Sequence, residues 1–369
     1  MSGPGGWDEA RRVLAVRLDA MGDVLMTTPA LRALGASGRH VTLLTSPSGA
    51  SAAALVPEVD EVIVYEAPWL KASAPRPGAG PDLAMIDRLR AGGFDAAAIF
   101  TVYSQNPMPS AMLCWLAGIP RRLAHCRENP YQMLTDWIPE PEPDRLRRHE
   151  VRRQLDLVAA VGARTEDERL SIRVPDHARA AVDGLLGSAG IDPDRPWIAV
   201  HPGATAPSRR YPPEGFAEAA RELVVDHGYQ IVFTGSPDES DLIEGIRAEM
   251  GAPSASLAGR LDLGGLAALI ERAPVLLSNN TGPVHVGSAV GTPVVVLYAL
   301  TNLQHTPWAV PCRVLNHDVP CKLCYKSVCP EGHHDCLRKV APAEVVRAVR
   351  ELVEGLPRGR PQAPSSLAR

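Results

Sequence analysis

The chain has 369 residues, 45% of them hydrophobic, and its 38 basic and 42 acidic side chains leave a net charge of −4. At about 100–200 residues per domain, that length calls for two domains, each with enough apolar side chains for its own core. So balanced a charge excludes a general nucleic-acid binder, the lack of any apolar run near ~18–20 residues excludes a bilayer span, and the start MSGPGGWDEARR has no apolar core to serve as a secretory signal, which places the protein in the cytosol.

Residues 1–12 are expected to be a flexible leader. Strands are then predicted over 13–17, 41–45, 62–65 and 96–100, alternating with helices over 24–34, 50–55, 82–92 and 109–117. Pro29 sits badly inside a helix, so Thr28 is expected to cap a helix that restarts at Pro29 after a bend. Residues 67–81 form a loop rich in Pro, Gly and Ala. Helices follow over 148–161 and 176–186, and Gly187–Pro196 (GSAGIDPDRP) is the expected linker. A second alternation comes next, with strands over 197–200, 230–234, 255–257, 275–278 and 293–297. Its helices cover 213–227, 238–249, 264–272, 283–290 and 342–352. Alternating strands and helices predict two α/β domains, 13–187 and 188–354, each built on a parallel sheet. The polar tail, 355–369, is expected to be disordered. Two such halves leave a cleft, and ligands favour the carboxyl ends of parallel strands.

Four turns at such strand ends carry chemistry. The first is Arg17-Leu-Asp-Ala-Met-Gly-Asp23, where Gly22 permits a tight turn and Asp23 falls near a helix N-terminus that favours a carboxylate. An isolated Asp there is more often a cap, and Asp19 is close enough to compete for any role. In His201-Pro-Gly-Ala-Thr205 and Ser208-Arg209-Arg210, small residues let backbone N–H groups approach an anion. Arg209 or Arg210 could then hold a diphosphate. In Thr234-Gly-Ser-Pro-Asp-Glu239, Glu239 is placed to accept hydrogen bonds from ribose hydroxyls, or else simply to offset a helix dipole. The fourth, Ser278-Asn-Asn-Thr-Gly-Pro-Val-His285, opens a helix at Pro283, and Thr281, Gly282 and His285 surround its N-terminus, a ready phosphate site. No GxGxxG follows the first strand, which disfavours a nicotinamide dehydrogenase.

RLDAMGDVLMTTPALRAL, HPGATAPSRRYPPEGFAEAA, FTGSPDE and NNTGPVHVGSAVGTPVV, in this order, resemble glycosyltransferase family 9, the ADP-heptose:lipopolysaccharide heptosyltransferases and their relatives. The resemblance runs from about residue 13 to 352. It implies a GT-B fold, two Rossmann-like domains whose parallel sheets face a central cleft, the first binding the acceptor and the second the nucleotide sugar. It further implies an inverting enzyme that needs no metal or other cofactor and moves a sugar, a heptose by analogy, from ADP-heptose to a glycan or glycolipid such as lipopolysaccharide core. Carried over residue by residue, Asp23 matches the general base and Arg209 the basic residue on the diphosphate. Glu239 matches the acid at the nucleoside, and Thr205, Asn280, Thr281, Gly282 and His285 fall among the donor-binding loops. The family's usual Asp before Thr-Gly is here Asn280, which hydrogen-bonds but carries no charge. Two other readings stay open: another sugar on another acceptor, or a sugar-nucleotide-binding protein without catalysis.

Five of the seven cysteines crowd near the end. Cys321, Cys324, Cys329 and Cys336, with His333 and His334 between, have spacing compatible with a closed structural zinc site, or with a reduced thiol cluster. Arg145, Arg147, Arg148, Arg152 and Arg153 read as a solvated helix face, with peripheral docking on the inner membrane surface as the alternative.

Overall fold

The computed structural model describes residues 6–70 and 73–355. The chain divides into two units between Arg173 and Val174. The first contains β1 (Arg12–Arg17), α1 (Met21–Gly35), β2 (His40–Thr45), α2 (Ala50–Ala53), β3 (Glu61–Val64), α3 (Gly80–Ala91), β4 (Ala96–Ile99), α4 (Met108–Leu116), β5 (Arg121–Cys126), β6 (Asp136–Pro139) and α5 (Glu150–Ala159). The second contains α6 (Asp176–Ser188), β7 (Trp197–His201), α7 (Pro213–Val225), β8 (Gln230–Phe233), α8 (Ser240–Met250), β9 (Ala255–Ser256), α9 (Leu263–Arg272), β10 (Val275–Asn279), α10 (Gly282–Val290), β11 (Val294–Leu297), β12 (Cys312–Leu315), α11 (Asp335–Arg338) and α12 (Pro342–Glu354).

Each unit holds one six-stranded sheet, ordered β3-β2-β1-β4-β5-β6 in the first and β12-β11-β10-β7-β8-β9 in the second. Every pairing is parallel. Counted from its own first strand, each sheet has the doubly wound order 3-2-1-4-5-6. The winding reverses between the first and fourth strands, and ligands bind in the crevice outside their carboxyl ends. In the first unit this crevice lies after β1 and β4. In the second it lies after β7 and β10. The central strands are buried along nearly their whole length because helices cover both faces. Leu14, Val16, Leu44 and Ile99 anchor the first core, and Phe216, Phe233, Ile243, Leu277 and Val349 the second.

The expected alternation is present, with several differences. Helix α1 runs without a break through Pro29, so Thr28 is not a cap. Proline has no N–H to offer the Leu25 carbonyl four residues back, and the Thr28 hydroxyl donates to it instead, at 2.8 Å. Strands β5, β6 and β12 were not expected. The unit boundary precedes α6, ahead of the expected linker, because α6 packs on α9: Arg179 is bidentate to Glu271 at 2.7 and 3.0 Å, and Arg272 meets Asp183 at 2.5 Å. The leader is docked as far back as it is described. Trp7 is 2% exposed and donates its indole N–H to Asp136 at 3.1 Å. Residues 1–5 of that leader, and the tail beyond Gly355, lie outside the described residues.

Candidate active site

At the end of β1 the chain buries a guanidinium. Arg17 is fully enclosed and reaches three carboxylates: Asp19 at 3.0 Å, Asp23 at 3.1 Å and Glu150 at 3.0 Å. Burial works to strip its proton, but Asp19, Glu150 and Asp23 together raise its pKa above the ordinary guanidinium value. Burial also raises the pKa of Asp23 and of Asp19, and Arg17 opposes it in each case. Asp23 is the third residue of α1, so it is not the N-cap; Ala20 holds that position and supplies no side-chain cap. The Asp23 carboxylate takes the Ala20 backbone N–H while keeping about a fifth of the side chain exposed. It is thus oriented by a fixed cation and partly exposed.

Asp19 has a second partner besides Arg17. It accepts from the Gln105 amide at 2.6 Å, bridging the loops after β1 and β4 at the reversal point of the sheet. There a cavity of about 600 Å³ opens, lined in part by Asp19, Ser46, Trp69, Phe100 and Gln105.

In the second unit the expected donor residues fall into two groups. The first centres on Glu239. Its Oε2 accepts the Ser236 N–H at 2.8 Å and completes a capping box, so this residue has a structural part at the helix start. The same carboxylate lies 3.8 Å from buried His201, whose pKa burial lowers. It also packs so closely on Gly203 that a Cβ there would stand 1.9 Å from Oε1. Gly203, Ala204, Phe216, Glu239, Leu242 and Ile246 line part of a cavity of about 430 Å³. Thr205, just beyond, is exposed.

The second group gathers around Arg209. This side chain makes no ion pair among the described residues and acts on buried Tyr298, whose pKa burial pushes up to about 12. The Tyr298 phenol also shares a side-chain hydrogen bond with Asn280, which is 2% exposed. Arg210 differs, spending its Nε–H on the Ala204 carbonyl at 2.8 Å. After Asn280 the chain enters α10 with Thr281 at the N-cap, extended and with no capping bond from its hydroxyl. Thr281 and Gly282 are half-buried, while His285 is buried in the first turn.

Two ties hold these loops and were not anticipated. Asn279 accepts from the Tyr211 N–H at 3.0 Å and donates to the Pro202 carbonyl at 2.6 Å, joining β10 to the loop after β7. Ser208 donates its N–H to Ser327 at 3.0 Å and its hydroxyl to Lys326 at 2.8 Å. The cysteine-rich segment therefore props up the arginine loop. For the zinc reading of this segment, which its spacing offered beside a reduced thiol cluster, no three His, Cys, Asp or Glu side chains among the described residues are grouped to hold a metal ion. Cys336 lies within electrostatic reach of Cys329, Cys321 and Cys324 and takes the Leu300 backbone N–H, and Cys321 faces His333 at 3.7 Å. The arginine stretch is likewise not a solvated face throughout. Arg153 is buried on Glu140 and the Thr101 carbonyl, and Arg148 bridges Glu142 and Asp156 at 2.7 and 2.8 Å. No described helix is long and apolar enough to cross a membrane.

Two doubly wound parallel sheets of six strands each are the arrangement of the GT-B fold. The model of glycosyltransferase family 9 (heptosyltransferase) matches residues 83–334, and the chain belongs to that family. It is 26% identical to lipopolysaccharide heptosyltransferase 2 of Escherichia coli (strain K12) over 262 residues, 67% of this chain and 73% of that protein. The crystal structure of a family 9 glycosyltransferase from Veillonella parvula superposes with a TM-score of 0.79 at 24% identity, covering 93% of this chain and 97% of that one. Escherichia coli ADP-heptose lipopolysaccharide heptosyltransferase II superposes at 0.72 and 23% identity, covering 93% and 98%.

Proposed function

We propose that the enzyme transfers a heptose, with inversion and without a metal ion in the chemical step, from ADP-heptose to a sugar hydroxyl of a lipopolysaccharide-core type glycan. A sugar hydroxyl is a poor nucleophile, and Asp23 is the base that takes its proton as it attacks the anomeric carbon. A single displacement by that hydroxyl inverts the centre. The base and the leaving diphosphate then stand on opposite faces of the sugar, as in inverting hydrolases. The departing ADP gains negative charge. Arg209, the Thr281 hydroxyl and the amide dipoles at the start of α10 are the positive groups offered to it, so the chain's own groups meet this charge. The cavity beside Glu239 takes the nucleoside: its apolar wall suits the base, and the carboxylate suits the ribose hydroxyls. Escherichia coli heptosyltransferase II, which shares the fold, carries ADP-heptose in its name.

The observation that carries this reading is Arg209, a guanidinium with no ion-pair partner among the described residues, near enough to act electrostatically on Tyr298, whose phenol is bonded to Asn280 just ahead of α10. Calorimetric titration with ADP-heptose tests it. Arg209→Ala is expected to weaken binding about 10- to 100-fold, the worth of one charge-assisted hydrogen bond to a phosphate. Excess chelator is expected to leave wild-type transfer unchanged. Unaltered affinity in the variant would remove the diphosphate from this position.

A further inference from the structure

Glu150 is more than Arg17 needs. Buried Arg122, in the same unit, shows how a guanidinium is satisfied without carboxylates: its three nitrogens donate to the backbone carbonyls of Met133, Ile119 and Gln132, which carry no net charge. At Arg17 each nitrogen meets a carboxylate instead, Nε that of Asp19, Nη2 that of Asp23 and Nη1 that of Glu150. The two aspartates already outnumber the cation, so Glu150 adds a further negative charge in a buried place. Desolvating such a charge offsets most of what its pairing gives, so stability alone does not account for it.

Glu150 is also firmly held. It is the first residue of α5 and is 1% exposed, so it does not touch substrate. Its Oε1 accepts from Arg17 at 3.0 Å and from the Gln154 amide at 2.5 Å, and the same amide donates to the Thr101 carbonyl at 3.0 Å. Glu150 is thereby tied both to α5 and to the chain leaving β4. The guanidinium is planar and rigid, so an anchor on Nη1 also sets where Nη2 meets Asp23. Arg17 favours the ionised form of Asp23 and Glu150 disfavours it, while Asp19 and Asp23 repel each other. These three, from β1, the loop after it and α5, are the charged groups that act on the Asp23 carboxylate.

We infer that Glu150 is a positioning residue for the transfer reaction, acting on the Asp23 carboxylate through the guanidinium they share. This rests on the reading of Asp23 as the base. With the charge of Glu150 removed, all of the Arg17 charge falls to the two aspartates and one end of the fork is released. Asp23 then holds a proton less tightly, which makes it a weaker base, and its carboxylate is less well aimed.

The test follows the Asp23 carboxyl itself, by carbon NMR of the full-length protein labelled at aspartate Cγ, with the signal assigned by its loss in Asp23→Asn. The pH profile of transfer from ADP-heptose to a glycan acceptor is recorded beside it. In Glu150→Gln the Asp23 titration and the acidic limb of kcat/KM are expected to fall together by about one pH unit, the effect of one charge removed across a guanidinium in a partly buried site. There kcat is expected to drop about 3- to 10-fold with KM within about twofold. Glu150→Asp keeps the charge and shortens its reach, so its titration is expected within about half a pH unit of the wild type while kcat still falls. An Asp23 titration that stays in place in Glu150→Gln would overturn the inference. If that variant does not fold, wild-type kcat in Glu150→Asp would overturn it. A titration that moves without the limb would uphold the link through Arg17 and remove Asp23 as the base, so the two readings fail separately.

Discussion

Arg17 is the residue on which the chemistry of the first unit turns, and it is easily passed over in the sequence. A charged side chain at the end of an apolar strand reads as the point where the strand meets water; here it is buried because Asp19, Asp23 and Glu150 converge on it. Asp19 and Asp23 follow at near spacing and were a visible signal. Glu150 comes from a helix far along the chain, so no local pattern could link it. The same limit hid Tyr298 and Asn279, apolar-strand neighbours whose polar atoms matter only once the sheet has formed. By contrast, Asp23, Arg209 and Glu239 stood out because each follows a strand by a few residues, where a doubly wound sheet exposes its loops. The burial that raises Asp23 sets a consequence for pH. A base acts only when deprotonated, and a raised pKa moves that requirement upward. The acidic limb of a kcat/KM profile is therefore expected above the ordinary carboxylate value of 3.8. A profile flat down to that value would contradict the assignment of the limb to Asp23.

Among the elements, the central strands and long helices were legible because their apolar pattern is continuous, while β5, β6 and β12 were not. β5 (RRLAHC) carries two arginines and a histidine, β6 (DWIP) ends in proline at the sheet margin, and β12 lies inside the cysteine run. The edge strands β6 and β12 need little apolar surface and tolerate proline, and the internal strand β5 is disguised by its charged residues, so composition conceals all three. Helix α1 shows how a local rule yields to a local remedy. Proline inside a helix orphans a carbonyl, but the preceding Thr28 supplies a hydroxyl to it and also accepts the Ser171 N–H at 3.1 Å. Thr28→Val keeps the shape and removes both bonds. It is expected to lower stability by about 1–3 kcal/mol, read as a shift in the urea midpoint at unchanged slope. A change within about 0.5 kcal/mol would mean that the Leu25 carbonyl has another donor.

For the whole molecule, two sheets of one winding order explain why the four motifs recur after strands. Both units also bury a neutral histidine. Burial, with Arg153 beside it, pushes His125 down to about 4 from the ordinary value of 6.5, and burial lowers His201 too. Between those two pH values the unfolded chain binds a proton that the native His125 does not. Stability contributed by this group is thus present above about 6.5, falls as the pH drops toward about 4, and levels off below it. The loss across that window is expected to be about 2–4 kcal/mol. Urea unfolding of the wild type and His125→Asn at both ends of the window checks this, the variant showing the smaller loss.

The central claim assigns proton removal to one unit and donor recognition to the other, so a single substitution should separate them. Donor affinity and transfer would be measured on the same sample of Asp23→Ala with ADP-heptose and a glycan acceptor. The account predicts donor affinity within about twofold of the wild type and transfer reduced about 10²- to 10⁴-fold, the share a positioned base supplies. Transfer retained within a few-fold, or donor binding lost together with it, would contradict the account.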